Sequence, residues 1–152
     1  MSDTLIFYLV LHIILGSAGI IFLTAYLLSL SKKEPDSKSL KSSSFLAVLS
    51  FIGSWIFGGL YYTSYYGKVV KPIILKGQYS WVHTILMETK EHLFLFLPFL
   101  TIALFVITAL GKKGLEKNEN LKKSVLRFAF IIVGLGITAA LAGYMISGAV
   151  TK

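Results

Sequence analysis

The chain has 152 residues, 55% of them hydrophobic and only 14% charged, with a formal net charge of +8. A soluble domain carries roughly 25% charged residues, so water is not the solvent this composition suits. The lysines lie between apolar runs rather than on one face with stacking aromatics, which argues against nucleic acid as a partner, and the absence of cysteine excludes a disulfide framework, a thiolate metal site and a thioether-linked haem.

Hydrocarbon offers no partner to backbone N–H and C=O groups, so a spanning chain must be helical or a closed barrel, and these apolar runs are too continuous for alternating strands. The sequence therefore predicts an all-α integral membrane protein with the lipid bilayer around it. Four spans, at about 5–30, 45–66, 82–110 and 125–150, each reach the roughly 20 residues needed to cross the hydrocarbon core. They form a single domain over 1–152, an up-down-up-down bundle of four transmembrane helices in which spans one and three stand on a diagonal.

The first span follows Met1-Ser2-Asp3-Thr4, a flank with no basic residue, and no small-residue cleavage pattern follows it, so it is expected to remain as a helix rather than act as a signal peptide. It carries His12, with Gly16 and Gly19 on the same face. The segment from Ser31 to Ser44 is rich in Ser and Lys and reads as a solvated connector.

Span two places Ser50, Ser54 and Gly58 at intervals of four, small residues that let helices approach closely. Tyr61, Tyr62, Tyr65 and Tyr66 follow at its end and, with Tyr79 and Trp81, read as an aromatic belt at headgroup level. Between them Val69, Val70, Ile73, Ile74 and Leu75 alternate with lysines around Pro72, which predicts a segment lying in the interfacial plane.

Span three opens with His83, Glu88, Lys90, Glu91 and His92, the densest group of ionisable residues in any apolar segment. Phe96 and Phe99 lie below His92 at helical spacing, and Pro98 is expected to kink or loosen the helix beside them. The connector Gly111 to Ser124 is polar, and span four carries Gly136, Ala140 and Gly143 before Tyr144 and Met145.

Ten of the 15 basic residues fall in the first and third connectors or just after: Lys32, Lys33, Lys38, Lys41, Lys112, Lys113, Lys117, Lys122, Lys123 and Arg127. That bias places loops 31–44 and 111–124 in the cytoplasm and both termini outside, in a multi-pass protein of the cell membrane.

His12 and His92 each lie 18 residues from the cytoplasmic end of their span, Leu30 and Leu110, or roughly 27 Å at about 1.5 Å per residue. Two level imidazoles on diagonal helices are spaced to hold something between them. The expected occupant is one haem b with His12 and His92 as axial ligands, beside Gly16, Gly19, Phe96 and Tyr144. The Glu88, Glu91 and tyrosine layer would form an adjoining quinone or proton-exchange site.

Two alternatives stay open. His12, Glu88, Glu91, His92 and His83 could hold a single transition-metal ion, copper, zinc or iron. The polar layer could instead serve a non-catalytic subunit or assembly factor that docks into a larger membrane complex. In its paired histidines the chain resembles small four-helix membrane b-type cytochromes, a resemblance that implies haem b, electron transfer and exchange with quinones.

Overall fold

The computed structural model describes residues 1–149, with all their side chains except those of residues 112, 113 and 116. The described residues contain helices and no strand. Four helical stretches are long and apolar enough to cross a membrane: 3–30, 37–76, 82–110 and 119–149. The expected end of the fourth span, residue 150, lies outside the described residues.

Helix α1 spans Asp3–Leu30 and is apolar on every side, with Ile6, Phe7, Val10, Ile13, Ile14 and Ile21 all exposed. A helix of this kind is stable only where its surroundings are themselves apolar. Helix α2, Ser37–Tyr61, begins earlier than expected because Asp36 caps it, accepting from the backbone N–H of Lys38 at 3.0 Å and Ser39 at 3.3 Å. The first connector thereby shrinks to a few residues. The third is also shorter, since α5 occupies Lys112–Lys117 and Asn118 starts α6, accepting at 3.0 Å from the N–H of Leu121.

The larger departure lies beyond Tyr61, where the helix expected to end near residue 66 continues without a break to Lys76. It continues as a π-helical segment, π1 (Tyr62–Val70), and then as α3 (Lys71–Lys76), with Pro72 tolerated in the first turn of α3. Tyr66, Val70 and Ile74, four residues apart, are all buried. In an α-helix that spacing drifts about 40° per step, and the wider π-turn, with its i→i+5 bonds, brings the stripe back into phase. A second π-helical segment, π2 (Val82–Met87), leads into α4 (Glu88–Leu110), and α6 (Glu119–Ala149) completes the bundle. Helix α4 runs unbroken through Pro98, and Thr101 donates to the carbonyls of Leu97 and Pro98, both at 2.9 Å, within that turn.

Each long helix packs against two neighbours, α1 on α2, α2 on α4, α4 on α6 and α6 on α1, so α1 and α4 occupy a diagonal as expected. Small residues make the contacts close. A Cβ on Gly19 would stand 2.9 Å from the Phe51 ring, and one on Gly53 would stand 2.9 Å from Leu15. For helices in a bilayer such packing, with a few interhelical hydrogen bonds, replaces the hydrophobic effect as the source of association. The main core runs from Leu23 and Tyr26 to Leu104 and Ile132, and there Tyr26 and Thr108 share a hydrogen bond of 2.8 Å. A second core, around Tyr66, Val70, Ile74, Val82 and Met87, lies at the other end, where π1, α3 and π2 meet.

Candidate functional site

His12 lies in the contact between α1 and α2. Its ring is spread over Gly58, where an added Cβ would come within 2.6 Å of Nδ1. Ser54 Oγ donates to the carbonyl of His12 at 2.8 Å, which uses the single hydroxyl proton. Nδ1 must then carry the imidazole hydrogen that reaches the Ser54 carbonyl, 2.9 Å away, with Ser54 Oγ at 3.1 Å as a second acceptor. This tautomer leaves Nε2 with its lone pair. The edge of Phe94 from α4 closes the other side, with ring centroids 5.3 Å apart and planes at 78°.

Lys90, one turn above Phe94 on α4, sends its side chain across to α6, where a Cβ on Gly143 would lie 3.3 Å from Nζ. Its ammonium is within electrostatic reach of the His12 ring. Among the described residues it makes no ion pair, the salt bridge present being Lys123 to Glu119 at 3.9 Å. All four long helices contribute to this region: His12 from α1, Ser54 and Gly58 from α2, Phe94 and, one turn away, Lys90 from α4, and Gly143 from α6.

The structure does not bring His12 and His92 together. At about 100° per residue, Lys90, Phe94, Leu97, Thr101, Leu104 and Thr108 share the inward stripe of α4, and His92 falls about 200° from it. His92 is exposed, and its Nδ1–H donates to the carbonyl of Glu88 at 2.6 Å. With Thr84, Ile85, Glu88, Thr89 and Leu93 it lines an open depression of about 410 Å³ on the outer side of α4.

The expected walls of a haem pocket are displaced in the same way. Phe96 and Phe99 are 57% and 63% exposed, and Tyr144 is 81% exposed, all turned away from the interior. The space beside Gly16 and Gly19 is filled by α2, since a Cβ on Gly16 would lie 3.1 Å from Ser54 Oγ. A haem b held between His12 and His92 therefore does not fit the chain as folded.

His83 is buried in the second core, with Nδ1 3.1 Å from the hydroxyl of Tyr66, while Glu88 and Glu91 are exposed. Of the five residues expected to form a metal site, Glu88 and His92 line one depression, while His12 and His83 lie elsewhere in the bundle. Among the described residues no three His, Asp or Glu side chains stand close enough to hold a metal ion.

Lys90, Ser54, Gly58, Phe94 and Gly143 were not singled out by the sequence as site residues. A signal existed in the spacing of Lys90, Phe94, Leu97, Thr101, Leu104 and Thr108, which marks one stripe of α4 and puts Lys90 on the same side as the small and apolar residues.

The fold and this cluster define a class: among the described residues, a helical bundle with four helical stretches long and apolar enough to cross a membrane and a polar cluster to which all four contribute. Compared with known protein families, with curated proteins and with solved structures, the chain finds no match.

Proposed function

We propose that this protein is a quinone-binding subunit of a membrane redox assembly, taking the head group at the outer end of the bundle against Lys90 and His12. The observation that carries the reading is the Lys90 ammonium, set over Gly143 with no carboxylate bound to it, one helical turn from the Phe94 ring that packs on His12, whose Nδ1 bond to Ser54 leaves the Nε2 lone pair unspent. A group bearing an oxygen acceptor completes this arrangement better than water, because a desolvated cation is costly without one.

The pair matches both forms of a quinone. Lys90 is a donor only, suited to a quinone carbonyl, and it stabilises the negative charge that reduction places on that oxygen. Neutral His12 is an acceptor at Nε2, suited to a quinol hydroxyl, and it can take the proton released when the quinol is oxidised. Ser54 and Gly58 act by holding the ring and its tautomer, as a second set of partners does for many functional histidines. In this reading the electron partner of the quinone is another component of the assembly. The open face of α4 around Glu88 and His92 is where that component would dock. The lysine-rich connectors support an orientation with both termini outside the cytoplasm, which sets this site toward the outer leaflet.

The test is equilibrium binding of a short-chain ubiquinone or menaquinone analogue to the full chain in lipid nanodiscs. Lys90→Met keeps the length of the side chain and removes the charge, and binding should weaken at least about tenfold, as expected for a charge-assisted hydrogen bond of about 1.5–3 kcal/mol. Unchanged affinity in Lys90→Met would overturn the reading.

A further inference from the structure

The head-group site does not use the buried polar pair that joins the two π-helical segments. Tyr66 and His83 are 4% and 2% exposed, on the two π-helical segments, and share a hydrogen bond of 3.1 Å. His83 Nε2 is buried without a partner among the described residues. The direction of the bond follows from counting protons. If His83 Nδ1–H donated to the phenol, both the phenolic proton and the Nε2 lone pair would be left unsatisfied. If the phenol donates to Nδ1, only the Nε2–H is left, so the phenol is the donor.

Tyr66 is also the inner member of a row of tyrosines. Its ring stacks on Tyr62, with centroids 5.4 Å apart and planes at 24°, and Tyr61 and Tyr65 form a second pair at 5.8 Å. Tyr62 is only partly buried, so the row leads from the surface of this end of the bundle to the buried phenol. The π-turns that hold Tyr66, Val70 and Ile74 in one stripe are rare geometry and recur at functional sites.

We propose that Tyr66 is a redox-active tyrosine: it gives one electron to a one-electron oxidant of the peroxyl-radical class, while its phenolic proton passes along the hydrogen bond to His83 Nδ1. The O–H bond breaks, an N–H bond forms on His83, and Tyr66 becomes a neutral phenoxyl radical. The oxidant gains the electron and then the proton that His83 holds, leaving a hydroperoxide. A phenol radical cation is a far stronger acid than imidazolium, so transfer of the proton along this bond leaves the oxidised tyrosine neutral with the positive charge on His83, and burial keeps the radical from the tyrosines of other molecules. The acceptor at Nδ1 is a positioned general base. This inference uses neither His12 nor Lys90, so it stands or falls independently of the quinone reading.

The experiment is flash oxidation of the full chain in nanodiscs by a photogenerated ruthenium(III) polypyridyl complex, with the tyrosyl radical followed by transient absorption and electron paramagnetic resonance. A long-lived radical component is expected in the wild type and in Tyr144→Phe, which alters an exposed tyrosine of α6. Tyr66→Phe should abolish that component, and His83→Gln should slow its formation by on the order of tenfold or more. Heavy water should slow formation in the wild type, a readout that needs no variant to fold. A long-lived component that survives Tyr66→Phe, or a formation rate identical in heavy water, overturns the proposal.

Discussion

The imidazole of His12 occupies the place a side chain would take on Gly58, at 2.6 Å from the position of its Cβ to Nδ1. The adjacent Gly59 has nothing within 4 Å of its own Cβ position. Gly58→Ala should therefore destabilise the bundle by about 1–3 kcal/mol, the usual cost of overpacking, whereas Gly59→Ala should not. Thermal unfolding of the two variants in the same detergent checks the difference, and equal behaviour would show that His12 is not wedged between α1 and α2.

The two histidines of the expected axial pair should respond unequally to removal. His12→Ala removes the interhelical bond to the Ser54 carbonyl and opens a gap over Gly58, a loss of about 1–2 kcal/mol by the measure of interhelical hydrogen bonds in membranes. His92 is exposed and bonds only within its own turn, so His92→Ala should change stability by about 0.5 kcal/mol or less. Denaturation midpoints of the two single variants decide the matter.

Gly143 offers a change aimed at Lys90 alone. The tight contact is with the flexible end of a lysine, which can move aside, so Gly143→Ala should leave the unfolding temperature close to that of the wild type. The ammonium would nevertheless be displaced from its place over residue 143. Binding of the quinone analogue is expected to fall several-fold in this variant, and an unchanged titration would count against Lys90 as the contact.

Orientation can be read chemically, because the chain has no cysteine of its own. Single replacements Lys33→Cys and Asn120→Cys should resist a membrane-impermeant maleimide on intact cells, and Gln78→Cys should react. The reverse pattern would place the lysine-rich connectors outside.

Much of the architecture was legible in the residues. Runs such as Leu5 to Leu30 are apolar on all faces, and no arrangement other than a helix satisfies their backbone in hydrocarbon. The diagonal relation of α1 and α4 followed from the short connectors. The extension of α2 through π1 to Lys76 was not legible, because Pro72 and the alternating lysines resemble an interfacial segment, while burial of Tyr66, Val70 and Ile74 against π2 depends on contacts distant in sequence.

At the site, depth and rotation divide in the same way. Counting residues along an α-helix yields height, and it put His12 near the level of the polar layer because rise per residue is constant. Which way a ring points around an apolar helix depends on what the neighbouring helices present. Residues at the sequence level could name His12, His83, Glu88 and His92 as the ionisable groups of the spans, and could set four helices in a membrane. Only tertiary packing decided that Lys90 turns inward to Gly143, that His92 turns outward, and that His83 is buried on Tyr66. Close contact at glycines and the pairing of buried polar groups are pairwise properties, invisible until two helices are side by side.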